Sequence, residues 1–156
     1  PSPAGRPLTR GRPAYELLEH TADVGLLVRA PDRALLFERA ALALSDVAFD
    51  VERAAADLAA GAGTRALRIE AAAGDGETLL VAFLGELLSL AATEGLAVAE
   101  VEVTSLGAAT AAARVRGVPL EPARHGFKTE VKAVTYHELL VSEDRDGWSA
   151  RVLLDL

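Results

Sequence analysis

Three polar residues in this 156-residue chain stand where burial or the rim of a site is expected. Asp23 lies in the polar stretch HTADVG, His20 to Gly25, between YELLE and LLVRA. Lys132 lies inside a long and mostly apolar segment, TEVKAVTYHELLV. Asp155 is the penultimate residue, directly after Arg-Val-Leu-Leu, and Leu156 follows it with the main-chain carboxylate. A strand that stops at Leu-Leu-Asp-Leu holds its terminus in a sheet, which brings the side-chain and chain-end carboxylates close together. Hard cations such as Ca²⁺ and Mg²⁺ favour clustered oxygen donors of this kind. If Asp23 also approaches, three anionic groups converge, and a cation or a lysine has to neutralise them. The two aspartates also have plainer and commoner readings, Asp23 as the Asx residue of a turn and Asp155 as a solvated chain end. The residues by themselves permit a carboxylate metal site but do not favour it over these plainer readings.

Other chemistries find little support. The chain has no cysteine, so disulfides, thiolate nucleophiles and zinc–sulfur sites are excluded together. Neither G-x-x-x-x-G-K-[ST] nor G-x-G-x-x-G occurs, and no serine sits in G-x-S-x-G. Nothing in the spacing favours a Ser-His-Asp triad. His20, His125 and His137 match no zinc pattern and read as ordinary surface or strand histidines. With 16 basic against 23 acidic residues the formal net charge is −7, which argues against a domain built to grip a phosphate backbone. No basic patch with interleaved aromatics is present either, so strong direct nucleic-acid binding is not expected. An acidic protein can still serve a nucleic-acid enzyme by docking on its basic surface.

The elements that must position these residues follow from the periodicity. The N-terminal stretch 1–14, with three arginines among Pro and Gly, reads as a disordered arm without a secretory h-region, and the chain is expected to be cytoplasmic. Tyr15 to Glu19 and Gly25 to Ala30 read as two strands joined by a turn that contains Asp23. Asp32 is the expected N-cap of a helix over 32–48, with Phe37, Ala40, Ala41, Leu44 and Ala48 on one face. Residues 50–64 carry no clear pattern. Ala66 to Ala72 alternates as a strand. A second helix follows Asp75, with Leu80, Phe83, Leu84, Leu87, Leu88 and Ala91 as its stripe and Gly95 as its end. No apolar run approaches the roughly 20 residues of a bilayer span; the longest, Leu79 to Ala92, is broken by Gly85 and Glu86. Residues 97–103 and 109–118 form an antiparallel pair, and Pro119 to Gly126 is a loop. Thr129 to Val141 is a long strand with Val131, Ala133, Thr135, His137, Leu139 and Val141 on one face. A turn at 143–147 leads to the last strand, Trp148 to Leu156. The expected architecture is α+β: one two-layer domain over 15–156, its mainly antiparallel sheet packed by two amphipathic helices.

Four stretches, taken together and in order, resemble the archease family: YELLEHTADVGLLVRA, ALLFERAALALSDV, GETLLVAFLGELLSLAATEGL, and TEVKAVTYHELLV followed by GWSARVLLDL. The resemblance runs from Tyr15 to Leu156 and leaves out only the arm and the segment 50–64. It implies an accessory protein, not itself an enzyme, that activates the RtcB-type RNA ligase, which joins RNA 3′-phosphate and 5′-hydroxyl ends in tRNA splicing or RNA repair. The implied action is to promote guanylylation of the ligase histidine and so permit multiple turnover. The resemblance further implies a divalent-metal site, with Ca²⁺ the expected occupant, held by Asp23, Asp155 and the main-chain oxygen of Leu156. Lys132 is implied in ligase activation with Asp23 and Asp155, and Glu19 and His20 are placed as flanking residues. Two other functions are weighed against this one: a chaperone or modulator of RNA-modifying proteins, and a small metal-dependent hydrolase using Asp23 and His20. No membrane partner is expected.

Overall fold

Asp32, Asp50 and Asp75 each accept a hydrogen bond from a backbone N–H of the turn that follows, at 2.8, 3.0 and 2.8 Å, and each thereby starts a helix. A computed structural model of the chain describes residues 14–19, 23–61 and 63–156. Within them the order is β1 (Glu16–Glu19), β2 (Asp23–Ala30), α1 (Arg33–Ala48), α2 (Val51–Ala59), β3 (Arg65–Ala72) and α3 (Gly76–Glu94). It continues with β4 (Leu96–Leu106), β5 (Thr110–Pro119), α4 (Pro122–His125), β6 (Ala133–Asp144) and β7 (Gly147–Asp155). The expected arm over 1–14 lies outside the described residues, apart from Ala14.

The α+β class is as expected, but the strands divide into two antiparallel sheets. One has the order β1-β2-β7-β6 and the other β3-β5-β4. The first sheet is therefore built from the first two and last two strands, and the second from the three between them. Helix α1 packs on β2 and β7 of the first sheet and on β4 of the second, and α3 packs on β6 and on β3, β4 and β5. Residues buried all round α1 (Leu36, Phe37, Ala40 to Ser45, Val47) follow from this position between strands of both sheets. Phe37 of α1 meets Phe83 of α3 with ring centroids 5.2 Å apart in a tilted arrangement. Both are fully buried, each burial worth about 1.5–3 kcal/mol relative to exposure. By length and composition α3 is apolar enough to cross a bilayer, Gly85 and Glu86 notwithstanding. Its buried residues Leu79, Leu80, Phe83, Leu84 and Leu87 belong to the core cluster, as a core helix's would.

Four local readings change. Residues 51–59 are a helix, announced by the Asp50 cap and by Val51, Ala54 and Leu58 on the buried side. The expected loop 119–126 contains the short α4, with a proline in its first turn and Gly126 closing it at φ 63°. β6 starts at Ala133, so Lys132 precedes the strand instead of lying within it. The even alternation expected along β6 breaks at a bulge between Thr135 and Leu140, where Glu138 adopts φ 53°. Val134 packs against the core before the bulge, and Leu139 and Val141 after it, an odd step that no single-face pattern allows.

Candidate functional site

Strand β2 pairs with β7 over its whole length, from Ala30 opposite Trp148 to Asp23 opposite Asp155. Leu26, Val28, Ala150 and Val152 lie in the core, so the alternation turns Asp23 and Asp155 to the opposite face of the sheet. Directly opposed residues hold their Cβ atoms about 4.5–5.5 Å apart, and both carboxylates are half-buried. β6 completes the end of the sheet. Ala133 stands opposite Asp155 on its other side, and the Lys132 backbone N–H donates to the Asp155 carbonyl at 2.8 Å. Lys132 itself is exposed, and Leu156 packs partly against the core. The register thus brings Asp23 from the start of the domain to Asp155, Leu156 and the Lys132 backbone near its end.

The flanking residues are less informative. Glu19 ends β1 opposite Val24, one residue from Asp23, and His20 lies outside the described residues. Among the described residues, neither Asp23 nor Asp155 forms a side-chain ion pair, and no group of three His, Cys, Asp or Glu side chains gathers to hold a metal. Two like charges facing each other across a strand pair repel, so this pair invites a cation.

Asp23 and Val24 begin strand β2 instead of lying in the expected turn; Gly25 lies in β2 as expected, and its φ is not positive, so it is not there to reverse the chain. Its lack of a side chain serves packing: a Cβ there would stand 2.9 Å from the Leu18 Cβ and 3.3 Å from a Leu153 methyl. Leu153, fully buried although it lies on the face away from the helices, occupies that space beside the two carboxylates.

A second polar cluster went unanticipated. Arg124 of α4 donates through Nε and an Nη to both oxygens of Asp57 on α2, each at 2.7 Å, and His125 Nε2 lies 2.8 Å from Asp57 Oδ2. The Glu121 backbone N–H donates to His125 Nδ1 at 3.0 Å, so Nδ1 is the accepting nitrogen and Nε2 carries the proton towards Asp57. His125 is 1% exposed, which corrects its reading as a surface or strand residue. The Arg124 hydrogen bonds, then that of His125, hold the Asp57 carboxyl well below the usual carboxylate range. With both ring nitrogens engaged, His125 has no free nitrogen for catalysis; the cluster clamps α4 to α2. The non-local pairing had no signal in the sequence, since residues 57 and 124 lie on separate helices.

Residues 15–156 match the model of the Archease protein family. The protein archease of Methanosarcina barkeri is 34% identical over 146 residues, covering 91% of this chain and 95% of that protein. The Methanopyrus kandleri archease is 35% identical over 146 residues, covering 91% and 99%. The solution structure of Methanobacterium thermoautotrophicum protein 1598 is similar in fold, with a TM-score of 0.70 at 29% identity, covering 91% of this chain and 98% of that one.

Proposed function

This chain belongs to the archease family, and from that premise we propose that it is a protein cofactor of an RNA ligase that seals 3′-phosphate and 5′-hydroxyl ends. In this reading it promotes guanylylation of the ligase and its multiple turnover and is not itself the catalyst. The observation that carries the proposal is the opposition of Asp23 and Asp155 at one end of the four-stranded sheet, with Lys132 hydrogen-bonded to the same Asp155 through its backbone.

The donor types suit a hard divalent cation, Ca²⁺ foremost: two carboxylates on directly opposed residues, and the main-chain oxygen of Leu156 next to the second. Ca²⁺ takes six to eight oxygens, so these groups cover only part of a shell and leave positions for water or for a partner's phosphate oxygens. A cation bound there would supply charge neutralisation and polarisation at a phosphate. The paired register sets the backbones of Asp23 and Asp155 directly opposite each other. Exposed Lys132 supplies a positive charge at the rim, suited to contact a phosphate.

The test is guanylylation of the purified ligase with GTP and metal, with and without this chain. A faster or more complete guanylylated fraction in its presence is the expected result. No change sinks the reading. Hydrolytic turnover by the chain alone would point to the metal-dependent hydrolase, and activation that survives loss of Asp155 would point to a chaperone.

A further inference from the structure

Of the four large apolar side chains most exposed among the described residues, two lie on β6: Tyr136 at 60% and Leu140 at 53%. β6 is an edge strand, the last in the order β1-β2-β7-β6; its first residue, Ala133, stands beside Asp155, and its far end, Asp144, beside Gly147. Between Thr135 and Leu140 it leaves the register with β7, and Glu138 takes up φ 53°, an unfavourable region for a residue other than glycine. The bulge turns Tyr136 and His137 out into solvent, where regular pairing would alternate them between the two faces. Beyond it the strand runs into an acidic hairpin, with Glu143, Asp144 and Asp146 exposed around the single cation Arg145.

From these features, and resting on the ligase reading above, we infer that β6 from Tyr136 to Asp146 is the docking edge for that ligase. It would be met by a ligase surface with an apolar centre and a basic rim. Two observations decide between occupants. The Val141 backbone N–H already donates to Glu77 of α3 at 3.1 Å, so the edge is capped there against an added strand. The partner therefore engages side chains and does not extend the sheet. A second copy of this chain would set Glu143 and Asp144 against acidic residues of a molecule with net charge −7. A basic partner suits the acidic hairpin, which pairs with Gly147 and Trp148 at the far end of β7. The Tyr136 end of the edge lies three residues from Ala133, beside Asp155, so a ligase seated along β6 would reach the carboxylate pair from that end.

The experiment is calorimetric titration of the full chain into the purified ligase at two salt concentrations, with guanylylation followed in parallel. Tyr136→Ala and Leu140→Ala are each expected to weaken binding by about tenfold. The double change Glu143→Lys with Asp144→Lys should weaken it further and flatten its salt dependence. Leu17→Ala, at an exposed residue on the opposite edge strand, should bind as the wild type does. Guanylylation by the β6 variants should recover at excess chain, whereas Asp155→Asn should bind normally and fail to activate. Wild-type affinity in both Tyr136→Ala and Leu140→Ala, with unchanged melting curves, overturns the docking edge and leaves the ligase reading intact. A wild-type chain that neither binds nor activates the ligase overturns both.

Discussion

At the scale of single residues, Asp23 and Asp155 form a pair that disfavours the fold by itself. Like charges directly opposed across a strand pair are destabilising. Asp155→Asn should therefore leave the apparent melting temperature unchanged or slightly raised in chelator. A ligand specific to the native state raises the melting temperature with its concentration. Wild type should thus show a Ca²⁺-dependent increase that Asp155→Asn lacks, read by thermal melts with and without millimolar Ca²⁺; equal increases in both would remove Asp155 from the donor set. Gly25→Ala tests the packing beside the pair. The added methyl meets Leu18 and Leu153 at 2.9 and 3.3 Å, and overpacking of this kind costs about 1–3 kcal/mol. Chemical denaturation should show that loss, and a neutral substitution would contradict the close packing. Asp23 and Asp155 were legible as candidates because Asp in a turn and Asp in a strand end are conspicuous. The purpose of Gly25 was not legible, because it depends on Leu18 and on Leu153 from the far end of the chain.

At the scale of elements, the two helices with strong stripes were readable and the short ones were not. The caps Asp32 and Asp75 and the stripes behind them are local signals, and the helices formed where those signals lay. Helix α2 offers only nine residues, too few for an alanine-rich pattern to stand out from a loop. β6 misled because alternation assumes a regular ladder, and the bulge at 135–140 changes its parity midway. What holds α4 in place is the clamp to α2. Removing Asp57 orphans the buried His125 Nε2–H, whereas removing Arg124 leaves Asp57 bonded to His125. Asp57→Ala should thus lower the melting temperature more than Arg124→Ala does, and the reverse order would contradict the clamp. Because the folded Asp57 carboxyl titrates below its unfolded value, its contribution is present above the ordinary carboxylate pKa. It is lost only as pH falls through the depressed folded value. The gap between wild type and Asp57→Asn should persist from pH 8 to pH 5 and close only in stronger acid; closure near neutrality would contradict it.

At the scale of the whole molecule, the first two and last two strands form one sheet, and the three strands between them supply the other. That topology makes the site: β2 and β7 can place Asp23 against Asp155 only when the first and last parts of the domain have come together. A composition of −7 and one sheet end carrying paired carboxylates suit a chain that works on the surface of a more basic partner. The family was legible from ordered motifs at both ends, while the division into two sheets was not, because strand pairing between distant segments leaves no trace in either segment's own pattern. The central claim is tested most directly by multiple-turnover sealing of 3′-phosphate and 5′-hydroxyl RNA ends by the purified ligase, with wild type, Asp155→Asn or no added chain. The account predicts continued turnover with wild type and a stall after roughly one round with Asp155→Asn or with nothing added. Turnover unaffected by the wild-type chain, or fully sustained by Asp155→Asn, would contradict it.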